Sequence, residues 1–133
     1  MPKVFTSKTQ KTGALGESIA CRHLQSKGYR VIERNYTRKW GEIDIVAEKS
    51  KRTHFIEVKC VSCVTLDDIN TANSTNTFRP EENMHHEKLK RLYRTIEGYL
   101  ASNNVLKEWQ LDLLCVYIVH DTKKAKVTFF ENI

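Results

Sequence analysis

The longest apolar run, Leu113 to Val119, continues an apolar stretch that begins at Trp109. A run with apolar residues at both odd and even positions has little to offer water, so it reads as a long, central strand. It is far shorter than the roughly 20 residues that span a bilayer. A chain built around such a strand must cover it, and a sheet covered by helices does so.

The rest of the chain supplies those parts. Residues 1–12 are polar and basic, lack periodicity and read as a flexible tail. From Gly13 the pattern turns helical, with Leu15, Ile19, Ala20 and Leu24 on one stripe and Gly28 as the stop. Tyr29 to Tyr36 alternates as a first strand, Gly41 marks a turn, and Glu42 to Ala47 forms a second strand. Lys49 to Arg52 is a charged hairpin tip before a third strand from His54 to Val61. The stretch at about 62–83 is rich in Thr, Asn and Asp and reads as a long flexible loop. Leu89, Leu92, Tyr93, Ile96, Tyr99 and Leu100 follow the spacing of an amphipathic helix. Trp109 to Val119 and Lys126 to Phe130 supply the last two strands. The expected fold is a single α/β domain over residues 13–133, in the order α-β-β-β-α-β-β. Its mixed central β-sheet is flanked by helices.

Composition narrows the function. The 133 residues hold 22 Lys and Arg against 16 Asp and Glu, a net charge of +6, with 40% hydrophobic residues. That balance is globular rather than disordered. No membrane segment or signal-like apolar leader is read from the sequence, and the expected location is cytoplasmic. The four cysteines are then read as thiols rather than as a disulfide framework. Cys60 and Cys63 form a single C-x-x-C pair, half of what a zinc site needs. Residues 1–66 carry 13 Lys and Arg against 6 Asp and Glu, whereas residues 67–133 carry 9 against 10. A positive first half suits a polyanion, nucleic acid before anionic membrane; a solvated surface is the plain alternative. Arg34, Arg38 and Lys39 from this half, with Lys88 and Arg91 from the second helix, are the candidate phosphate contacts.

Alternation along the middle strands brings charged groups together. In the second strand Ile43, Ile45 and Ala47 share one face and Glu42, Asp44 and Val46 the other. In the third, Glu57 and Lys59 face away from Ile56, Val58 and Cys60. If the apolar faces meet the core, Asp44, Glu57 and Lys59 emerge on one side. Two half-buried carboxylates need compensation. Mg²⁺ supplies it with a few carboxylate oxygens, and the Val58 carbonyl is a further oxygen ligand. Such a metal polarises a phosphoryl oxygen, and Lys59 stabilises developing charge. An exposed Glu–Lys ladder pair is the ordinary alternative.

These residues carry a resemblance. Asp44, a spacer and Glu57-Val58-Lys59 are similar to the PD-(D/E)xK nuclease pattern, with Ile43 where that pattern has proline. Gly13-Ala14-Leu15-Gly16-Glu17, Gly41 to Ala47 and Phe55 to Lys59 resemble the YraN-like family of small bacterial proteins, distantly similar to archaeal Holliday-junction resolvases. Lys88, Arg91-Leu92, Tyr99-Leu100 and Asp112 fit its later pattern. The resemblance implies a restriction-endonuclease-like fold and a magnesium-dependent endonuclease, with Mn²⁺ able to substitute. It makes Asp44 and Glu57 metal ligands and Lys59 the catalytic lysine. It also places Glu17 near the metal, where a glutamate that merely favours its helix dipole is the alternative. The implied substrate is DNA, branched or structured DNA included. Resolvases act as dimers, which brings a homodimer into consideration. A non-catalytic nucleic-acid-binding module that keeps the nuclease fold is the rival reading.

Overall fold

A computed structural model describes residues 8–63, 85–119 and 124–133. The elements run α1 (Lys8–Ser26), β1 (Arg30–Arg38), β2 (Gly41–Lys49), β3 (Arg52–Cys63), α2 (His86–Ser102), β4 (Trp109–Val119) and β5 (Lys124–Phe130). This is the expected order, and it is consistent with a restriction-endonuclease-like fold. α1 starts at Lys8 rather than Gly13, because its first turns hold no apolar residue from which a stripe can be read. Residues 1–7 of the expected tail and 64–83 of the expected loop lie outside the described residues, while Ser62 and Cys63 continue β3. Among the described residues no helix is long and apolar enough to cross a membrane.

The five strands form one sheet in chain order, β1-β2-β3-β4-β5. β3 and β4 are parallel, and every other pair is antiparallel. The parallel pair needs a long crossover, and α2 lies in it. The β2–β3 hairpin turns on Ser50 and Lys51, both with positive φ, as a two-residue turn matched to strand twist requires. Gly28, at φ 89°, ends α1, and the Tyr29 N–H returns to the Leu24 carbonyl.

Two layers cover the sheet. Ala20, Cys21 and Leu24 of α1 bury Ile45, Ala47, Ile56, Leu114, Val116 and Ile118. Leu92, Ile96 and Tyr99 of α2 bury Tyr36, Ile43, Val46, Phe55 and Leu111 on the opposite face. Leu15 stands largely exposed, off the α1 contact. Ile43 also departs from expectation, packing under α2 while Ile45 and Ala47 pack under α1. The cause lies across the ladder. Between the pairs Arg34↔Ile45 and Tyr36↔Ile43, Asn35 has φ 53°, a left-handed conformation that asparagine tolerates. One such residue breaks the alternation of β1 opposite Asp44. Pairing of β2 with β3 ends one residue away, at Ile45↔Ile56.

Candidate functional site

Asp44 sits where β2 parts from β3. Its Oδ2 accepts the Val58 N–H at 2.8 Å, so a side chain takes a backbone donor just past the end of the ladder. Glu57 is half-buried beside it. Burial and the Glu57 charge push the Asp44 carboxyl up to about 8, and Glu17 and Glu42 push the same way; the Val58 N–H opposes them. The Glu57 carboxylate is held close enough to disfavour the ionisation of Asp44.

The second wall comes from α2. Gly41, Glu42, Asp44, Glu57, Lys88, Arg91 and Leu92 line a cleft of about 420 Å³. Lys88 Nζ lies 3.0 Å from Glu57 Oε1. Leu92 packs in the core and fixes the helix, so Lys88, one turn earlier, and its neighbour Arg91 project to the cleft. Gly41 permits the close approach: a Cβ there would lie 2.5 Å from Thr95 Oγ1 and 3.3 Å from the Arg91 carbonyl oxygen. Gly16 does the same for α1, where a Cβ would fall 2.8 Å from Cys60 Sγ. The glycines of both quoted motifs mark helices pressed onto the sheet next to Glu17 and Asp44.

The anticipated site residues separate into groups. Asp44, Glu57 and the Val58 backbone meet at one point, and Lys88 and Arg91 line the same cleft. Glu17 reaches it electrostatically from α1. Lys59 lies two residues beyond Glu57, is exposed and does not line the cleft; it stands opposite Cys115 in the parallel register. Arg38 and Lys39 lie at the β1–β2 turn and are exposed. Arg34 is apart from them, its charge acting on Cys21 beneath α1.

Sequence reading missed a second polar cluster. His54 Nδ1 and Asp112 Oδ2 are 2.7 Å apart and buried, and Asp112 Oδ1 accepts from Gln110 Nε2 at 2.7 Å and the Asn132 N–H at 2.8 Å. Arg52 extends the network to Gln110 and Glu108. The Tyr29 ring meets His54 edge-on at 5.0 Å. Asp112 thus ties β3, β4 and the segment after β5 together, a structural part. The readable signal was one acidic residue inside the most apolar strand.

The donor set at the cleft discriminates between metals. Among the described residues no three His, Cys, Asp or Glu side chains converge as a closed cage. Zinc sites need three or four such ligands. Mg²⁺ is held by one or two carboxylates together with water and substrate phosphate. Asp44 and Glu57, two neighbouring carboxylates lining one cleft, fit the second pattern.

Comparison with known proteins adds a family. The profile of the uncharacterised protein family UPF0102 matches residues 16–116. A UPF0102 protein of Campylobacter jejuni is 34% identical over 126 residues, covering 95% of this chain and 96% of its own. One from Campylobacter lari is 36% identical over 121 residues, 91% of each chain. One from Alkaliphilus oremlandii is 32% identical over 124 residues, covering 92% of this chain and 97% of its own.

Proposed function

We propose that this chain, which belongs to the uncharacterised protein family UPF0102, is a metal-dependent endonuclease that hydrolyses phosphodiester bonds in DNA. One observation carries the reading: the Asp44 carboxylate, held on the Val58 N–H at 2.8 Å, faces Glu57 in a cleft whose other wall is cationic. Asp44 and Glu57, with the Val58 carbonyl, are the groups that would hold Mg²⁺ or Mn²⁺. When bound, such an ion supplies Lewis-acid polarisation of a phosphoryl oxygen.

The chain's own residues supply the rest. Lys88 and Arg91 bind non-bridging oxygens and orient the ester over the carboxylates. Lys59, on the same side of β3 as Glu57, is assigned to the charge that develops on the phosphate. Glu17 adds negative charge from α1 and strengthens the site's demand for a cation. The PD-(D/E)xK resemblance supports the roles given to Asp44, Glu57 and Lys59.

The test is cleavage of linear, single-stranded, flapped and four-way DNA by purified protein with Mg²⁺ or Mn²⁺. Wild-type protein should cut at least one substrate, and Glu57→Ala and Lys59→Ala should abolish cutting. Inactivity of the wild type on all four rejects the enzyme.

The Lys88–Glu57 pair at 3.0 Å favours a second reading, because it neutralises one carboxylate without any metal. The chain would then be a nucleic-acid-binding module that keeps the fold. Saturable Mn²⁺ binding, lost in Asp44→Ala, decides for the enzyme; DNA binding that survives loss of both carboxylates, without Mn²⁺ binding by the wild type, decides for the module.

A further inference from the structure

Two arginines outside the cleft are seated on aromatic rings. Arg38 Cζ lies 4.0 Å from the centroid of Tyr36, and Arg94 Cζ lies 4.8 Å from that of Trp40. Neither ring is presented as a platform for a base. Tyr36 is buried and meets Tyr99 edge-on at 5.1 Å, and Trp40 is half-buried against α2 near Gly98. Each ring instead limits the freedom of the guanidinium above it while the cation stays in solvent.

These arginines continue the cationic wall. Lys88, Arg91 and Arg94 occupy successive turns of α2 and span about 9 Å along its axis. At about 3.4 Å of rise per nucleotide, that is the length of two to three phosphates on one strand. The contact of Gly41 with Thr95 and Arg91 presses the β1–β2 turn onto this part of α2, which brings Lys39 and Trp40 beside it. Glu33, whose charge acts on Tyr99 beside Tyr36, Glu42 in the cleft and Glu97 one turn past Arg94 are nearby carboxylates. Among the described residues none of the three forms an ion pair with Arg38, Lys39, Arg91 or Arg94.

We infer that Arg38 and Arg94, the arginines held by Tyr36 and Trp40, form a backbone-phosphate track together with Lys39. The track carries a nucleic-acid strand from the Lys88–Arg91 wall of the cleft over α2 and the β1–β2 turn. This rests on the endonuclease reading and adds the path of the substrate and the means of gripping it. The grip is on phosphate, so it is indifferent to base identity.

The experiment is equilibrium binding of the full chain to fluorescein-labelled 20-nucleotide DNA, as duplex and as single strand, in EDTA so that nothing is cut. Salt is varied, and Arg38→Ala/Arg94→Ala is compared with wild type and with Lys124→Ala/Lys126→Ala. The latter pair removes equal charge from β5, at the far edge of the sheet. Losing two phosphate contacts should flatten the slope of log K against log salt by about 1.8 on duplex or about 1.4 on single strand. The form whose slope falls by its own expected amount is the one the track holds. The β5 variant should keep the wild-type slope, and Arg38→Lys/Arg94→Lys should keep most of it. An unchanged slope in the arginine variant overturns the track, as does equal flattening in the β5 variant or wild-type protein that binds neither DNA. Binding that behaves as expected, without cleavage when Mg²⁺ is added, would reject the nuclease and leave the track standing. Cleavage with an unchanged slope does the reverse.

Discussion

Gly41→Ala adds one methyl group where β2 begins, and its surroundings decide the sign of the effect. Gly41 has no positive φ, so its backbone accepts alanine. On chain entropy alone the change should stabilise by about 0.4–1 kcal/mol. The new Cβ, however, would lie 2.5 Å from Thr95 Oγ1 and 3.3 Å from the Arg91 carbonyl oxygen. Thr95 is fully buried and its hydroxyl donates to that carbonyl at 2.8 Å. A β-branched side chain on a helix has little room to turn away. Relief comes by losing the hydroxyl's bond, worth about 1 kcal/mol, or by backing α2 off the turn at an overpacking cost of about 1–3 kcal/mol. The net expectation is a loss of about 1–3 kcal/mol in urea denaturation, with Tm lowered by roughly 3–12 °C for a chain of this length. Thr95→Ala removes the obstructing oxygen, so the double variant should be more stable than the summed single effects by about 1 kcal/mol. A Gly41→Ala protein at least as stable as wild type, or effects that add within about 0.3 kcal/mol, refutes the close-approach argument. So does an unaltered contact between Lys88 and Glu57 if the helix has moved.

Asp44 titrates in the folded chain at about 8 against 3.8 for the free group, so its ionisation opposes folding. The cost is absent below about pH 4, grows as pH rises and is complete above about pH 8. Metal-free Asp44→Asn should therefore melt higher than wild type at pH 8 and lose that advantage at pH 4; equal melting at pH 8 removes the burial-and-repulsion account. Asp112→Ala leaves His54, Gln110 and the Asn132 N–H without their acceptor and should cost about 3–5 kcal/mol by urea denaturation; a loss under 1 kcal/mol contradicts the tie described above. Burial pushes the Cys115 thiol up to about 12, so peptide mapping after iodoacetamide at pH 8 should find it unlabelled until the chain is unfolded.

Element order was legible because each element repeats its own period. β4 spans the same residues in sequence and structure, and the stripe of α2 packs Leu92, Ile96 and Tyr99 as the spacing requires. The pairing of Asp44 with Glu57 was legible too, since adjacent strands and a short hairpin leave them few other places. What pattern could not convey was the landing point of a helix. Periodicity shows which side of α2 is apolar but not that Lys88, rather than Lys59, meets Glu57. Nor does alternation foresee its own interruption, which is why Ile43 was assigned to the wrong layer. The His54–Asp112 contact joins residues 58 apart through a parallel register, beyond any local signal.

Asn35 does not line the cleft, yet its left-handed backbone stands across the ladder from Asp44. A β-branched residue there would resist left-handed φ and disturb β1 opposite Asp44, whose carboxylate holds the Val58 amide. In a mutational scan Asn35 would then score with Asp44 and Glu57 while supplying no group to the cleft. An edge strand's vertebra thus helps to set how the carboxylate pair is presented.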